Sequence, residues 1–214
     1  MQDKYDSLSD KAYDMIKRMI LSGELKQGQA ISINAMTTTL GISRTPIANA
    51  CQKLEMEKLL TVLPKQGVLI STISLETACG IYELRAAIES YNAKRVLDKL
   101  TDEDIKILES SIEKQKEYHK ESNSLLFMDE DVFMHKYILS KSVNYELLSV
   151  INQLYDRAYI LGTKNSNKAR MEQSIKEHEK ILDAVKARNK QAFADAIEEN
   201  ILNGFRSLAD RYLG

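Results

Sequence analysis

Both prolines of this 214-residue chain, Pro46 and Pro64, fall in its first third, and beyond Ser74 apolar residues recur at helical spacing almost without interruption. A proline inside a helix removes a hydrogen bond and clashes with the preceding turn, so a stretch without one can sustain long helices. Glycine is also sparse at 8 residues, and 4 Phe with no Trp offer little for a strand-rich fold. A mainly α chain is expected.

The exception lies between Leu60 and Ser71. Leu60-Thr61-Val62-Leu63 and Val68-Leu69-Ile70-Ser71 are β-prone runs around Pro64-Lys65-Gln66-Gly67, which reads as a hairpin with its glycine at positive φ. Three short helices precede it. Leu8, Ala12, Met15, Ile16, Met19 and Ile20 form a stripe that Gly23 ends, and a link from Glu24 to Ile31 follows. Ser32 is placed to cap a second helix closed by Gly41, and Ser43 a third with Pro46 in its first turn. Three helices and a hairpin make an N-terminal winged helix-turn-helix, whose third helix is sized for a DNA major groove.

The segment Gly41-Ile-Ser-Arg-Thr-Pro-Ile47, then Leu54-Glu-Met-Glu-Lys-Leu59 and Gln66-Gly67-Val68, resembles the DNA-binding domain of the GntR family of regulators. The resemblance implies that Ser43, Arg44 and Thr45 meet double-stranded operator DNA at the start of the recognition helix, with Lys65, Gln66 and Gly67 as the wing. Ala48 and Asn49 depart from the family's usual Arg and acid. A lost Arg–guanine contact is worth about 1–3 kcal/mol, so the operator sequence does not carry over.

Charge alone points weakly the same way. Ahead of Ser74 there are 9 basic and 7 acidic residues, after it 21 and 24, and the whole chain sums to −1. Cys51 and Cys79 form no C-x-x-C pair and no disulfide framework, which suits a reducing cytosol. No leader pattern opens the chain and no apolar run approaches the roughly 18 residues of a membrane span. A cytoplasmic protein without membrane contact is expected.

Residues 1–73 are accordingly assigned to the DNA-binding domain and residues 74–214 to a six-helix antiparallel bundle. Its helices are predicted at 74–99, 102–120, 124–140, 144–163, 170–188 and 190–212, with starts marked by Ser74, Thr101, Ser124, Asn144 and Asn189. Polar residues interrupt three of the apolar stripes. Asp131 and His135 share a face with Phe127, Met134 and Ile138; His178 lies with Met171, Ile175, Ile181 and Val185; Asn200 lies with Phe193, Ala196 and Ile197. Burying such groups without partners costs several kcal/mol, and a shared divalent ion removes the penalty. A satisfied core histidine and a hydrogen-bonded Asp–His couple fit the same spacing.

Tyr82-Glu-Leu-Arg-Ala-Ala-Ile-Glu89, Asp131-Val-Phe-Met-His135 with Asn144 beyond it, and Glu177-His178-Glu-Lys-Ile-Leu-Asp-Ala184 resemble the FCD effector domain of GntR regulators related to the fatty-acid and vanillate regulators. The resemblance implies a divalent metal held by Asp131, His135, His178 and Asn200, the last standing where the family has His. An Asn oxygen binds more weakly and favours harder ions, so Zn, Mn and Ni all remain open.

Arg85, among Ile81, Leu84 and Ile88, needs an anion: either Glu89 four residues on, or, as the resemblance implies, the carboxylate of a small organic acid effector. Tyr155 and Tyr159 are candidates to line the effector pocket, and His119 reads as a surface residue. The whole describes a homodimeric, ligand-responsive DNA-binding regulator, most simply a repressor. A sensor of the metal itself and, less favoured, a metalloenzyme are the competing readings.

Overall fold

The computed structural model describes residues 7–213, and the chain divides into two compact units, one ending at Ile73 and the next starting at Ser74. In the first, α1 (Leu8–Leu21) buries Ala12, Ile16 and Ile20, four residues apart and therefore on one face. Ser7 caps it by accepting from the Asp10 amide at 3.1 Å. The helix-turn-helix pair is α2 (Ile33–Leu40) and α3 (Arg44–Met56). Gly41 makes the turn between them at φ 65°, a left-handed conformation that glycine adopts without a side-chain clash. From α3, Ile47, Ala50, Cys51 and Leu54 enter the core.

Ser43 does occupy the N-cap position of α3 with extended backbone, but its hydroxyl makes no capping hydrogen bond. The first amides of α3 are thus not satisfied by the side chain expected to satisfy them.

The hairpin is β2 (Leu60–Leu63) and β3 (Gly67–Ile70), antiparallel, with Leu63 opposite Gly67. A third strand was not legible in the sequence. β1 (Ala30–Ile31) pairs with the other edge of β3, giving the order β1-β3-β2, and two residues are too few to display a period. This strand explains Gly67, whose φ is 122° and whose added Cβ would run into the Ile31 carbonyl. The glycine serves the closure of the wing onto β1. Lys65 also has positive φ, 64°, at the wing tip.

The second unit contains α4 (Leu75–Val96), α5 (Asp102–Lys120), α6 (Ser124–Ser140), α7 (Tyr145–Asn165), α8 (Lys168–Lys186) and α9 (Lys190–Leu213). All six expected helices form, within a few residues of the expected ends. The first stops early because Leu97–Lys99 tightens into a 3₁₀ turn. Thr101 and Asp104 form a reciprocal capping box on α5, while Asn123, Asn144, Asn167 and Asn189 accept from amides at the next four helix starts. α4 packs along α9 and also meets α6 and α7; α8 packs on α5 and α9. Leu108, Ile112, Phe127, Met134, Ile181, Val185, Phe193 and Ile197 fill the interior, each contributing roughly 1.5–3 kcal/mol by leaving water. No described helix is long and apolar enough to cross a membrane.

Candidate functional site

Three helices of the second unit deliver four polar groups to one locus. Asp131 and His135 come from successive turns of α6, His178 from α8 and Asn200 from α9, and potential ligand atoms of Asp131, His135 and His178 all lie within 4.8 Å of one another. Both histidines are sealed from solvent, and their rings meet edge to face at 5.6 Å.

The two imidazoles differ in what surrounds them. His178 Nδ1 donates to Gln115 Oε1 at 2.6 Å, which assigns the proton to Nδ1 and leaves a lone pair on Nε2. That Nε2 is buried without a hydrogen-bond partner, 3.4 Å from Asp131 Oδ1. Burial, opposed by Asp131 and aided by the nearby His135, pulls the His178 pKa down to about 4. It is therefore neutral at physiological pH, the form that coordinates metals.

His135 Nδ1 meets Glu89 Oε2 at 2.7 Å, and its Nε2 meets Asn200 Oδ1 at 3.0 Å. Burial works against its charged form, but the Glu89 carboxylate outweighs it and raises the pKa. Glu89 is held down at about 2, burial notwithstanding, by Arg85 and His135. A carboxylate on the far nitrogen of a histidine fixes the ring's orientation and tautomer, an arrangement that recurs behind metal-ligating histidines.

Asn200 is oriented in turn. Its Nδ2 donates to Glu177 Oε2 at 2.9 Å, which turns Oδ1 toward His135. Glu177 is 1% exposed and is gripped by both Arg170 guanidinium nitrogens at 3.1 and 2.8 Å, and also by Asn203 at 2.9 Å. Against burial, these contacts lower its pKa. Ser174 steadies Asp131 at 3.2 Å.

The donor set suits a divalent cation. One carboxylate, two imidazoles and an amide oxygen are the ligand types that first-row ions accept, and donors sharing an ion at roughly 2.0–2.2 Å sit about 3.0–3.5 Å apart. The 3.0 Å and 3.4 Å separations match that spacing, and the unpartnered His178 Nε2 is the atom such an ion would satisfy. A cavity of about 50 Å³ adjoins the cluster, lined among others by Tyr82, Arg85, Asp131, His135, Arg170 and Asn200.

Arg85 meets the first of its two expected partners, Glu89. It donates Nε to Glu89 Oε1 at 2.8 Å, and it also borders the cavity. The two tyrosines are placed differently from the sequence expectation. Neither Tyr155 nor Tyr159 borders the cavity: the Tyr155 ring lies 4.8 Å beneath the Arg85 guanidinium, and the Tyr159 hydroxyl donates to Asp129 at 2.8 Å. Spacing placed them on α7 but could not say that Arg85 would cover one and an α6 carboxylate bind the other. Glu89, Gln115 and Glu177 were missed as supports. Only Glu89, four residues from Arg85, carried a spacing signal; Gln115 carried none.

In the first unit, Arg44, Ala48 and Gln52 of α3, Asn34 of α2 and Lys65, Gln66 and Gly67 of the wing line an open groove of about 260 Å³. Ser43, Arg44 and Thr45 are exposed at the helix start, where backbone amides favour phosphate. Arg44 rests against Asn34 Oδ1 at 3.4 Å, a long and easily exchanged contact. Gly67 is buried, so of the three wing residues only Lys65 and Gln66 present side chains outward.

Comparison with known proteins agrees with both halves. A family model for the FCD domain matches residues 80–203, and one for bacterial regulatory proteins of the gntR family matches residues 8–70. The HTH-type transcriptional regulator YdhC of Bacillus subtilis is 27% identical over 182 residues, which span 84% of this chain and 81% of that protein. The gluconate operon transcriptional repressor of Bacillus licheniformis is 25% identical over 195 residues, 86% of this chain and 78% of that one. Among solved structures, McbR/YncC of E. coli superposes with a TM-score of 0.85 at 21% identity, over 97% of this chain and all of the other.

Proposed function

The chain belongs to the GntR family of bacterial regulatory proteins and carries an FCD domain, and from that premise we propose that it is a cytoplasmic, homodimeric repressor whose hold on operator DNA is set by a small carboxylate bound beside a divalent metal. Its matched families and relatives are transcriptional regulators rather than enzymes. Repression is supported by the name of the gluconate operon relative. A dimer follows from the economy of paired half-sites, which double the contacts made by one recognition helix.

The observation that carries the sensing half is the orphaned His178 Nε2, buried and facing Asp131 in an otherwise hydrogen-bonded cluster. Asp131, His135 and His178 would hold the ion, with Asn200 Oδ1 as a fourth donor. Bound there, the ion would supply a Lewis-acidic anchor for an anionic ligand. Glu89 and Gln115 hold the two imidazole rings in place, and Glu177 holds the Asn200 amide. Arg85 and Arg170 put positive charge on the cavity wall, so an incoming carboxylate finds complementary charge on that wall. Each arginine already has a buried carboxylate partner, Glu89 and Glu177 respectively, so a ligand anion would share or displace that contact. A coupling of about 1–3 kcal/mol between this site and operator affinity, the usual range for allosteric pairs of sites, is expected.

One observation favours a second reading, in which the ion itself is the signal. A cavity of about 50 Å³ accommodates an ion and one or two waters but little more without opening. Operator binding titrated separately with divalent ions and with small organic acids distinguishes the two. Release or tightening by an acid only when metal is present supports the effector reading; a response to metal alone supports the sensor. Absence of bound metal from protein purified without chelators, together with no stabilisation by added Zn, Mn or Ni, would overturn both.

A further inference from the structure

α3 has one stripe that serves the fold and one that serves nothing within the described structure. Ile47, Ala50, Cys51 and Leu54 are at most 1% exposed. The opposite stripe is Thr45, Ala48, Asn49 and Gln52, spaced three and four apart and therefore aligned along the helix. The later charged residues of the segment are committed elsewhere. Lys53 binds Asp10 at 2.7 Å, Glu55 accepts from the Val62 amide at 2.7 Å, and Glu57 binds Lys17 at 2.9 Å and the Tyr13 hydroxyl at 2.5 Å. Asn49 and Gln52 are exposed, and no hydrogen bond to a described residue occupies either amide.

We infer that Asn49 and Gln52 are base-reading residues that direct this protein to adenine-bearing positions of its operator. The inference rests on α3 being the helix that enters the major groove. Adenine presents an acceptor at N7 and a donor at N6 on its groove edge, and the carboxamide of Asn or Gln matches both at once. Arginine, which pairs with the two acceptors of guanine, is absent from this stripe, Arg44 lying one residue before it. Ala48, one turn before Gln52, adds a methyl suited in size to the thymine methyl and too short to crowd the amides. Gln52 and Ala48 border the same groove as Arg44, Lys65 and Gln66. Arg44 and Lys65, the charged residues of that groove, are thus left to grip phosphate while the neutral amides face the bases.

The test is selection of bound duplexes from a random pool by the full-length protein, repeated with N49A, Q52A and Q52E. The native protein is expected to enrich A·T pairs at fixed positions in each half-site. N49A and Q52A should each relax preference at one position, losing about 5- to 150-fold against the best site and under twofold against non-specific duplex. Q52E should exchange adenine for cytosine at its position, because a carboxylate accepts from the cytosine amino group. Unchanged thermal melting of all three variants confirms that they fold, as exposed side chains without partners should allow. Enrichment by the native protein of a profile that the variants leave unaltered overturns this inference alone. So does a uniform weakening on every sequence, which marks phosphate contacts. If the native protein enriches no sequence, operator recognition itself fails, and the inference with it.

Discussion

The outward stripe of α3 and the buried cluster of the helical unit are both polar, yet they stand in opposite relations to the fold. On α3, Asn49 and Gln52 lie in water without partners, so the fold neither needs them nor constrains them. In the cluster, Glu89, His135, Asn200 and Glu177 form an unbroken chain of contacts from 2.7 to 3.0 Å. There a group cannot change without exposing its neighbours to an apolar interior. A substitution in the α3 stripe is therefore expected to leave the fold intact, whereas one in the cluster is expected to demand matching changes in its supports.

The largest effect that separates the two regions is expected at Glu89. Its carboxylate holds Arg85 and His135 at once, and all three are at most 7% exposed. Glu89→Gln keeps the volume but leaves Arg85 without its anion, and breaking a buried pair in this way costs about 3–5 kcal/mol. Urea unfolding at neutral pH measures it. A loss below about 1 kcal/mol would mean that the cluster is as independent of the fold as the α3 stripe.

Metal addition probes the same region from the other side. A ligand present at a hundredfold its Kd stabilises the state that binds it by about 2.7 kcal/mol. Zn, Mn or Ni should therefore raise the melting temperature of the native protein, and His178→Gln should abolish that rise. Equal stabilisation of both proteins would place the ion elsewhere.

How much of each region was legible in the sequence follows from the same contrast. Helical stripes and capping residues located all six helices of the second unit because both depend on near neighbours in the chain. The candidate ligand residues stood out because Asp131, His135 and His178 interrupt otherwise apolar faces. Their supports did not stand out. Gln115 reaches His178 from 63 residues away, Glu89 reaches His135 from 46, and local periodicity carries no trace of such pairings. The same blindness hid β1, whose pairing with β3 makes Gly67 a packing requirement of the wing.

The DNA-binding unit should show the converse of Glu89. Arg44→Ala is expected to weaken specific operator binding by about 1–3 kcal/mol, lower the salt dependence by about one phosphate contact, and change stability by less than about 0.5 kcal/mol. Arg44 is exposed, and its contact with Asn34 at 3.4 Å is too long to hold the fold together. Gel-shift titrations at several salt concentrations, paired with thermal melts, give both numbers. Unchanged affinity would remove Arg44 from the interface, and a large loss of stability would show that the separation of roles in this unit is incomplete.

The smallest effect tests whether a dense polar network is by itself a mark of function. Asp104 binds Lys141 at 2.6 Å and Tyr137 at 2.5 Å and closes the Thr101 capping box, yet it borders neither the 50 Å³ cavity nor the groove beside the wing. Burial works to raise its pKa, but hydrogen bonds from Lys141, the Thr101 backbone and Tyr137 hold it well below the usual carboxylate range. A carboxyl depressed in the folded state adds stability above its unfolded pKa of about 3.9, and that increment is lost as pH falls toward the folded value. Asp104→Asn should therefore cost about 1 kcal/mol at neutral pH, the worth of a helix cap, with metal uptake and operator affinity unaltered. The gap between native and variant protein should hold steady from pH 7 to about 5 and narrow below about 4. A gap that persists in acid would assign the contribution to neutral hydrogen bonds. A change in metal uptake would extend the sensing region as far as the start of α5 and erase the boundary between networks that hold the fold and networks that hold a ligand.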